Sequence, residues 1–264
     1  MITLHMSGAG NRFLLVDDRR ESRNDALPLT NEQVRELLQL HARGDAAPIE
    51  GILRMREIHA SAINVEFYNP DGSRGMLCGN GARCAIRYGI DNGASPEGWI
   101  ECTFNGMQYT ARQYSDHTIG LRMPTPSQMR FYPAGSLDGV DAPLWYVDVN
   151  SDHVVIDAEH DASNPLVLRL RHHPDFPRGV NVNLLQIGGP ATLQLATFER
   201  GVEAITQACG TGAVSAAVTM WMRNPSVENF SVIPPSGRPL MVTIFAHAGH
   251  IDSIELRGDA LYDD

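Results

Sequence analysis

Lysine is missing altogether from the 264 residues: all 21 basic side chains are arginine. Pyridoxal-phosphate enzymes hold their cofactor as a lysine Schiff base, so that chemistry is excluded. Cysteine is scarce, with four in the chain, too few for a disulfide scaffold at this length. Cys78 and Cys84 are six apart, Cys102 sits in a strand-like stretch and Cys209 is remote. No pair has zinc-ligand spacing, and no metal is expected. No stretch approaches the ~18 uninterrupted apolar residues of a membrane span. The opening MITLHMSGAGNRF has neither the basic end nor the apolar stretch of a signal peptide, so a soluble, cytoplasmic protein is expected. Cations are outnumbered too. A net charge of −10 argues against nucleic acid, whose phosphates need a basic face, yet leaves room for a local cationic pocket that takes a small carboxylate.

What is present is an ordinary globular composition, 43% hydrophobic and 20% charged, long enough for one large domain or two smaller ones. GAGNRFLLVDDR reads as a polar turn running into an apolar strand. A helix follows, with Thr30 and Gln33 at capping-box spacing, Val34, Leu37 and Leu38 on one face, and Arg43-Gly44 closing it. In SAINVEFYNPDGS, Ile63, Val65 and Phe67 alternate with Asn64, Glu66 and Tyr68, the period of a strand, before an Asn69-Pro70-Asp71-Gly72 turn. Residues 99–122 read as a meander, and MPTPSQMRFYP as the crossover between domains. Beyond it LWYVDV, HVVID, NVNLLQI and TLQLATF restart the pattern, followed by a helix and more strands.

Two segments carry the same unusual turn. MLCGNGARCAIRYG (76–89) and QACGTGAVSAAVTM (207–220) both place Cys-Gly-x-Gly-Ala at the start of a helix. Residues 210–222 carry almost no charge, and a helix apolar on most sides is a buried one. Each half is therefore expected to wrap its strands around one central helix. A helix N-terminus offers unpaired N–H groups and the positive end of the macrodipole, an anion site. Glycines let a ligand approach the backbone, and a cysteine there has its thiolate favoured. If Cys78-Gly79-Asn80-Gly81 and Cys209-Gly210-Thr211-Gly212 face each other, they form a carboxylate cradle between two sulfurs about 6–7 Å apart. One thiolate would remove the Cα proton of an amino acid and the opposed thiol return one, inverting the stereocentre while both helix ends stabilise the growing charge. Cys84 and Cys102 read as small core hydrophobes.

GAGNRF, YNPDGSRGMLCGNGARC, RHHPDFPRGVNVNLLQ and FERGVEAITQACGTGA together resemble blocks of the diaminopimelate epimerase family, pyridoxal-phosphate-independent enzymes with a cysteine pair. The resemblance implies Cys78 and Cys209 as the acid/base pair, with the amides of Gly79, Asn80, Gly210 and Thr211 on the reacting carboxylate. Asn11, Asn69, Asn181, Glu199 and Arg200 match positions that contact substrate, with Asn69, Asn181 and Arg200 on the distal aminocarboxylate. Arg200 can grip a carboxylate bidentately, and Glu199 suits an ammonium. His153 keeps the place of a family Pro-His pair, with Asp152 where proline is expected, and would assist the cysteine chemistry. RGDAAPIEGI (43–52) departs from the family's glycine-rich segment, and His172 and His173 read as structural. The implied fold is α/β (α+β): two pseudo-symmetric domains, 1–122 and 123–255, each a mixed, mostly antiparallel barrel-like sheet around a central helix. The last strand, about 256–264, would return to the first domain. No cofactor is implied; a homodimer is.

The implied reaction is epimerisation of LL- to meso-diaminopimelate, serving lysine and peptidoglycan synthesis. Three alternatives stand beside it. A racemase of another amino acid, such as histidine, would keep both cysteines and change the distal pocket. A cysteine hydrolase would use Cys209, His153 and Asn181 as nucleophile, base and orienter, leaving Cys78 dispensable. A non-catalytic protein would simply bind small anions at the two helix ends.

Overall fold

A computed structural model describes residues 1–19, 27–42, 44, 48–74 and 79–263. Cys78, and residues 43 and 45–47 of the divergent segment, lie outside the described residues. The fold is mixed α/β with mostly antiparallel strands and few helices. It divides into two compact units, Met1–Leu121 with Gly258–Asp264, and Arg122–Arg257.

The first stretch runs β1 (Ile2–Gly8), β2 (Asn11–Asp17), α1 (Asn31–Leu40), β3 (Ile49–Ile58), β4 (Ala62–Tyr68), α2 (Gly79–Asp91), β5 (Ile100–Phe104), β6 (Met107–Gln113) and β7 (Ile119–Met123). The second runs β8 (Gln128–Tyr132), β9 (Leu144–Asp148), β10 (Asp152–Asp157), α3 (Pro165–Arg171), β11 (Asn181–Gly189), β12 (Thr192–Glu199), β13 (Ala204–Ile205), α4 (Gly210–Arg223), β14 (Asn229–Ile233), β15 (Leu240–His247) and β16 (His250–Gly258). The chain closes with β17 (Leu261–Asp263), which pairs antiparallel with β1 in the first unit.

Local chemistry explains these elements. Ala9 and Gly10, both at positive φ (50° and 94°), turn β1 into β2, and Asn105-Gly106 (48° and 84°) does the same between β5 and β6, the positive-φ pair that tight hairpins favour. Thr30 and Gln33 form a full capping box on α1. The helix ends at a His41 cap rather than at Arg43-Gly44. In β4, Ile63, Val65 and Phe67 are buried as the alternation requires. Tyr68 is buried as well: its hydroxyl donates to Glu66 and accepts the Leu29 amide. The stretch read as a crossover holds a strand, β8, paired antiparallel with β9. Its side chains are mostly exposed, so it carries no alternation to betray it. Helix α3 was not expected either, although Asn164 caps it and Pro165 opens it.

Each unit is built around its longest helix. In the first, α2 packs on β1–β4 and buries nearly every residue from Asn80 to Gly89. In the second, α4 packs on β9–β12, β14 and β15. It is buried almost throughout from Gly210 to Trp221, as its lack of charge requires.

Candidate active site

The second unit assembles most of the residues singled out from sequence at the entrance to α4. Cys209 is the N-cap in extended conformation, and its Sγ accepts the Gly212 amide at 3.4 Å. Gly210 and Thr211 form the first turn behind it, where backbone amides are unpaired by the helix itself. A Cβ on Gly212 would meet Asn183 Oδ1 and Thr197 Oγ1, each at 2.6 Å, so the turn tolerates only glycine there. The Cys209 side chain is also in hydrogen-bond contact with Glu199, at the end of β12. Burial raises the pKa of that carboxyl, opposed by its hydrogen bonds to Thr206 and Cys209. A half-buried thiol thus lies beside a carboxylate whose affinity for a proton is increased.

His153 on β10 is fully buried. Desolvation pushes its pKa down to about 3, so the ring is neutral. It reaches the thiol only indirectly: Nε2 lies 3.0 Å from Thr211 Oγ1, which is 3.5 Å from Cys209 Sγ. Asn181 stands next to His153 in the parallel register of β10 and β11. Its Nδ2 donates to Ser151 Oγ and the Asp152 carbonyl, both at 3.0 Å, and its Oδ1 accepts the Arg200 amide at 2.9 Å. Arg200 is pinned through Nη1 to the carbonyls of Arg178 (2.7 Å) and Gly179 (3.0 Å), with Asp152 Oδ2 at 3.5 Å. Nε and Nη2 of Arg200 take no hydrogen-bond partner among the described residues, which leaves one edge of the guanidinium for a carboxylate. Asp152 is buried and engaged by Arg178 at 2.7 Å and by the Tyr146 hydroxyl. Burial and that carboxylate push the Tyr146 pKa up to about 12.

In the first unit, Asn11 begins β2 and is buried opposite Gly8 in the β1–β2 register. A Cβ on Gly8 would lie 2.6 Å from the Asn80 carbonyl, so this hairpin end packs on the first turn of α2, which opens at Gly79. Asn80 Oδ1 accepts from the buried Arg83 at 2.8 Å, and Arg83 Nε donates to the Asp259 carbonyl at 3.0 Å. Asn69 lies apart from this group, in the turn after β4, where its amide donates to Ser73 Oγ at 2.9 Å. His173 donates to the Asp138 carbonyl and accepts the Asp175 amide, each at 3.2 Å, an arrangement that ties two loops together.

The residues not foreseen from sequence are Asn183, Thr197, Thr206, Ser151, Tyr146 and Arg178. Asn183 was within reach of sequence reasoning. It stands two residues after Asn181 in NVN, hence on the same face of a strand, and Thr197 is its partner in the β11–β12 register. Ser151, Arg178 and Thr206 depend on loops whose course no spacing gives, and Tyr146 is brought near Asp152 by the β9–β10 pairing. Among the described residues no group of three or more His, Cys, Asp or Glu is placed to hold a metal ion, and no helix is long and apolar enough to cross a membrane.

Two units, each with mostly antiparallel strands packed on one buried helix, define an α/β fold class. A phenazine biosynthesis protein of the PhzF family from Bacillus anthracis shares this fold, with a TM-score of 0.71 over 99% of this chain and 96% of that one, at 12% identity. The family model for diaminopimelate epimerase matches residues 3–116 and 147–259, and the chain belongs to that family. The diaminopimelate epimerase of Chlorobaculum tepidum is 33% identical, covering 97% of this chain and 96% of that protein. That of Aquifex aeolicus is 29% identical, with 90% and 88% covered. The protein is accordingly an isomerase of the epimerase type.

Proposed function

We propose that the protein converts LL-2,6-diaminopimelate into the meso isomer, without a cofactor, by two-base proton transfer at Cα. One cysteine, as thiolate, takes the Cα proton; the other, as thiol, delivers a proton to the opposite face. The carbanionic charge between these events spreads toward the α-carboxylate, which the amides of Gly79, Asn80, Gly210 and Thr211 would hold. The observation that carries this reading is the setting of Cys209: a thiol capping a buried helix, touching a carboxyl whose pKa burial has raised. Such a carboxyl can exchange a proton with sulfur between turnovers. Cys78 would serve the other face, in the matching turn that leads into α2.

The distal end of the substrate supplies specificity. The open edge of Arg200 would take its carboxylate, with Asn181 beside it and Asn69 as a further contact, while Asn11 would contact the substrate away from this end. In this reading the domains are 1–122 with the final strand 256–264, and 123–255, and the enzyme is a cytoplasmic homodimer. A hydrolase built on Cys209, His153 and Asn181 is disfavoured, because the His153 Nε2 is engaged with Thr211 and desolvation makes the buried ring a weak base.

The test is incubation with LL-diaminopimelate in deuterium oxide, with no added cofactor. Deuterium should enter at Cα as the meso isomer forms. Exchange into histidine or another amino acid instead would move the assignment to a different racemase. No exchange into any amino acid would overturn the two-base reading.

A further inference from the structure

The polar chain behind Cys209 has a fixed direction. Asn183 Nδ2 donates to the Val154 carbonyl at 2.8 Å, and Asn183 Oδ1 accepts the Thr197 hydroxyl at 2.9 Å. A backbone carbonyl can only accept, so the orientation of this amide is settled by its partners. The same Nδ2 lies 3.1 Å from His153 Nδ1. Nδ1 must therefore be the acceptor, and the single proton of the neutral ring is on Nε2. Asn181 does not compete for that position, since both its Nδ2 hydrogens are used by Ser151 and Asp152. Nε2–H then donates to Thr211 Oγ1 at 3.0 Å, and the threonine's own hydrogen is left for Cys209 Sγ at 3.5 Å.

We propose that Thr211, oriented by His153 and Asn183, is a positioning residue that donates a hydrogen bond to the Cys209 sulfur and favours its thiolate. A donor to the charged form lowers the pKa of the group that accepts it. Burial keeps His153 neutral and the Asn183 amide keeps its one proton on the side of Thr211, so the direction of the chain does not reverse in the physiological pH range. Close packing holds the parts in register: Gly212 leaves no room for a Cβ against Asn183 and Thr197. The corresponding place after Cys78 is held by Asn80, whose Oδ1 accepts from Arg83 instead.

The groups facing this turn can be named. Glu199 of β12 touches the sulfur, and its charge opposes the thiolate; His153 of β10 faces it through Thr211. β9 contributes Tyr146, which is engaged with Asp152. β11 presents the amides of Asn181 and Asn183. β14 and β15 bury only apolar residues, Phe230 and Val232, and Leu240, Val242 and Ile244. On β16, Leu256 is the residue against Gly210, and its neighbour Glu255 belongs to the opposite face.

The inference rests on reading Cys209 as a proton-transfer group, but its readout does not require turnover. The full-length protein and its Thr211→Val, Thr211→Ala and Thr211→Ser variants are alkylated with iodoacetamide across pH, and the peptide bearing Cys209 is followed by mass spectrometry. Removing the hydroxyl should move the midpoint up by about one pH unit, a tenfold smaller thiolate fraction on the acid side, and Thr211→Ser should restore it. Alanine makes no steric demand at this position, so a folded variant without the hydroxyl is available if valine disturbs packing. An unchanged midpoint in Thr211→Ala, or failure of Thr211→Ser to recover the wild-type value, overturns the proposal. A shifted and rescued midpoint in a protein that puts no deuterium into diaminopimelate would leave Thr211 in this role and remove the epimerase reading.

Discussion

The two halves of the chain follow one wiring scheme and decorate it differently. In the first, β2 pairs parallel with β3, β3 antiparallel with β4, β4 parallel with β5 and β5 antiparallel with β6. In the second, β10, β11, β12, β14 and β15 repeat the same alternation. The helices fall at the same places: α1 and α3 join the first parallel pair, α2 and α4 lie between the strands of the second. A parallel pair needs a crossover, and a helix supplies it. Among the described residues, the polar groups at the two buried helices differ. Asn80 is tied to a buried arginine, while the turn of α4 has Glu199 beside the sulfur and the Asn183–His153–Thr211 chain behind it. Duplicated topology puts a buried helix at the equivalent place in each unit; the side chains around the second one set the proton affinities there.

The most severe way to break the pairing is to remove a sulfur. Cys209→Ala and Cys78→Ala should each lower epimerisation about 10²–10⁴-fold, the usual worth of a positioned acid or base. Steady-state rates with LL-diaminopimelate measure this, and an active Cys78→Ala enzyme would show that the second turn works alone. Next in size are the glycines that let backbone approach each helix mouth. Gly8→Ala would drive a Cβ into the Asn80 carbonyl, and Gly212→Ala would drive one into Asn183 and Thr197. Each should cost about 1–3 kcal/mol by denaturant melts. Gly8→Ala is expected to be the costlier of the two, because its obstacle is backbone.

Glu199 offers a smaller effect of opposite sign. Its pKa is raised by burial, so its contribution to stability is intact below the unfolded-state value near pH 4 and is lost as pH rises through the folded-state value. Glu199→Gln should therefore be more stable than wild type at pH 7 and no more stable at pH 4, while its turnover falls. Urea midpoints at the two pH values check the sign. The smallest difference is at the caps of the matched helices. Thr30→Ala removes the capping box of α1 and Asn164→Ala the cap of α3. Each should lower stability by about 1 kcal/mol without altering kcat, as thermal melts and rate assays on the same samples would record.

How far the sequence could be read varies along the chain for physical reasons. Alternation in AINVEFY and the uncharged run after Cys209 report burial directly, since one face or all faces must be apolar, and both elements are where the pattern puts them. β8 escaped because its side chains are mostly exposed, so burial imposes no period on them. Its pairing with β9 is made by backbone groups that every residue carries. At the site, Cys209, Thr211, Glu199, His153, Asn181 and Arg200 were all picked out from their motifs. The partnerships among them were not visible. Arg200 lies on the carbonyls of Arg178 and Gly179, some twenty residues upstream, and His153 meets Thr211 across 58 positions.

By itself the sequence decided the chemistry on offer: no lysine for a Schiff base, two thiols in glycine-rich motifs, and one helix, after Cys209, with too little charge to be anywhere but inside. Those are matters of composition and local period, and no neighbour can change them. Only the tertiary structure decided protonation and direction: that Glu199 holds its proton more tightly, that His153 is neutral with its hydrogen on Nε2, and that Thr211 turns its own toward sulfur. Proton affinity depends on burial and on which donor meets which acceptor, and both arise when strands distant in sequence are brought side by side.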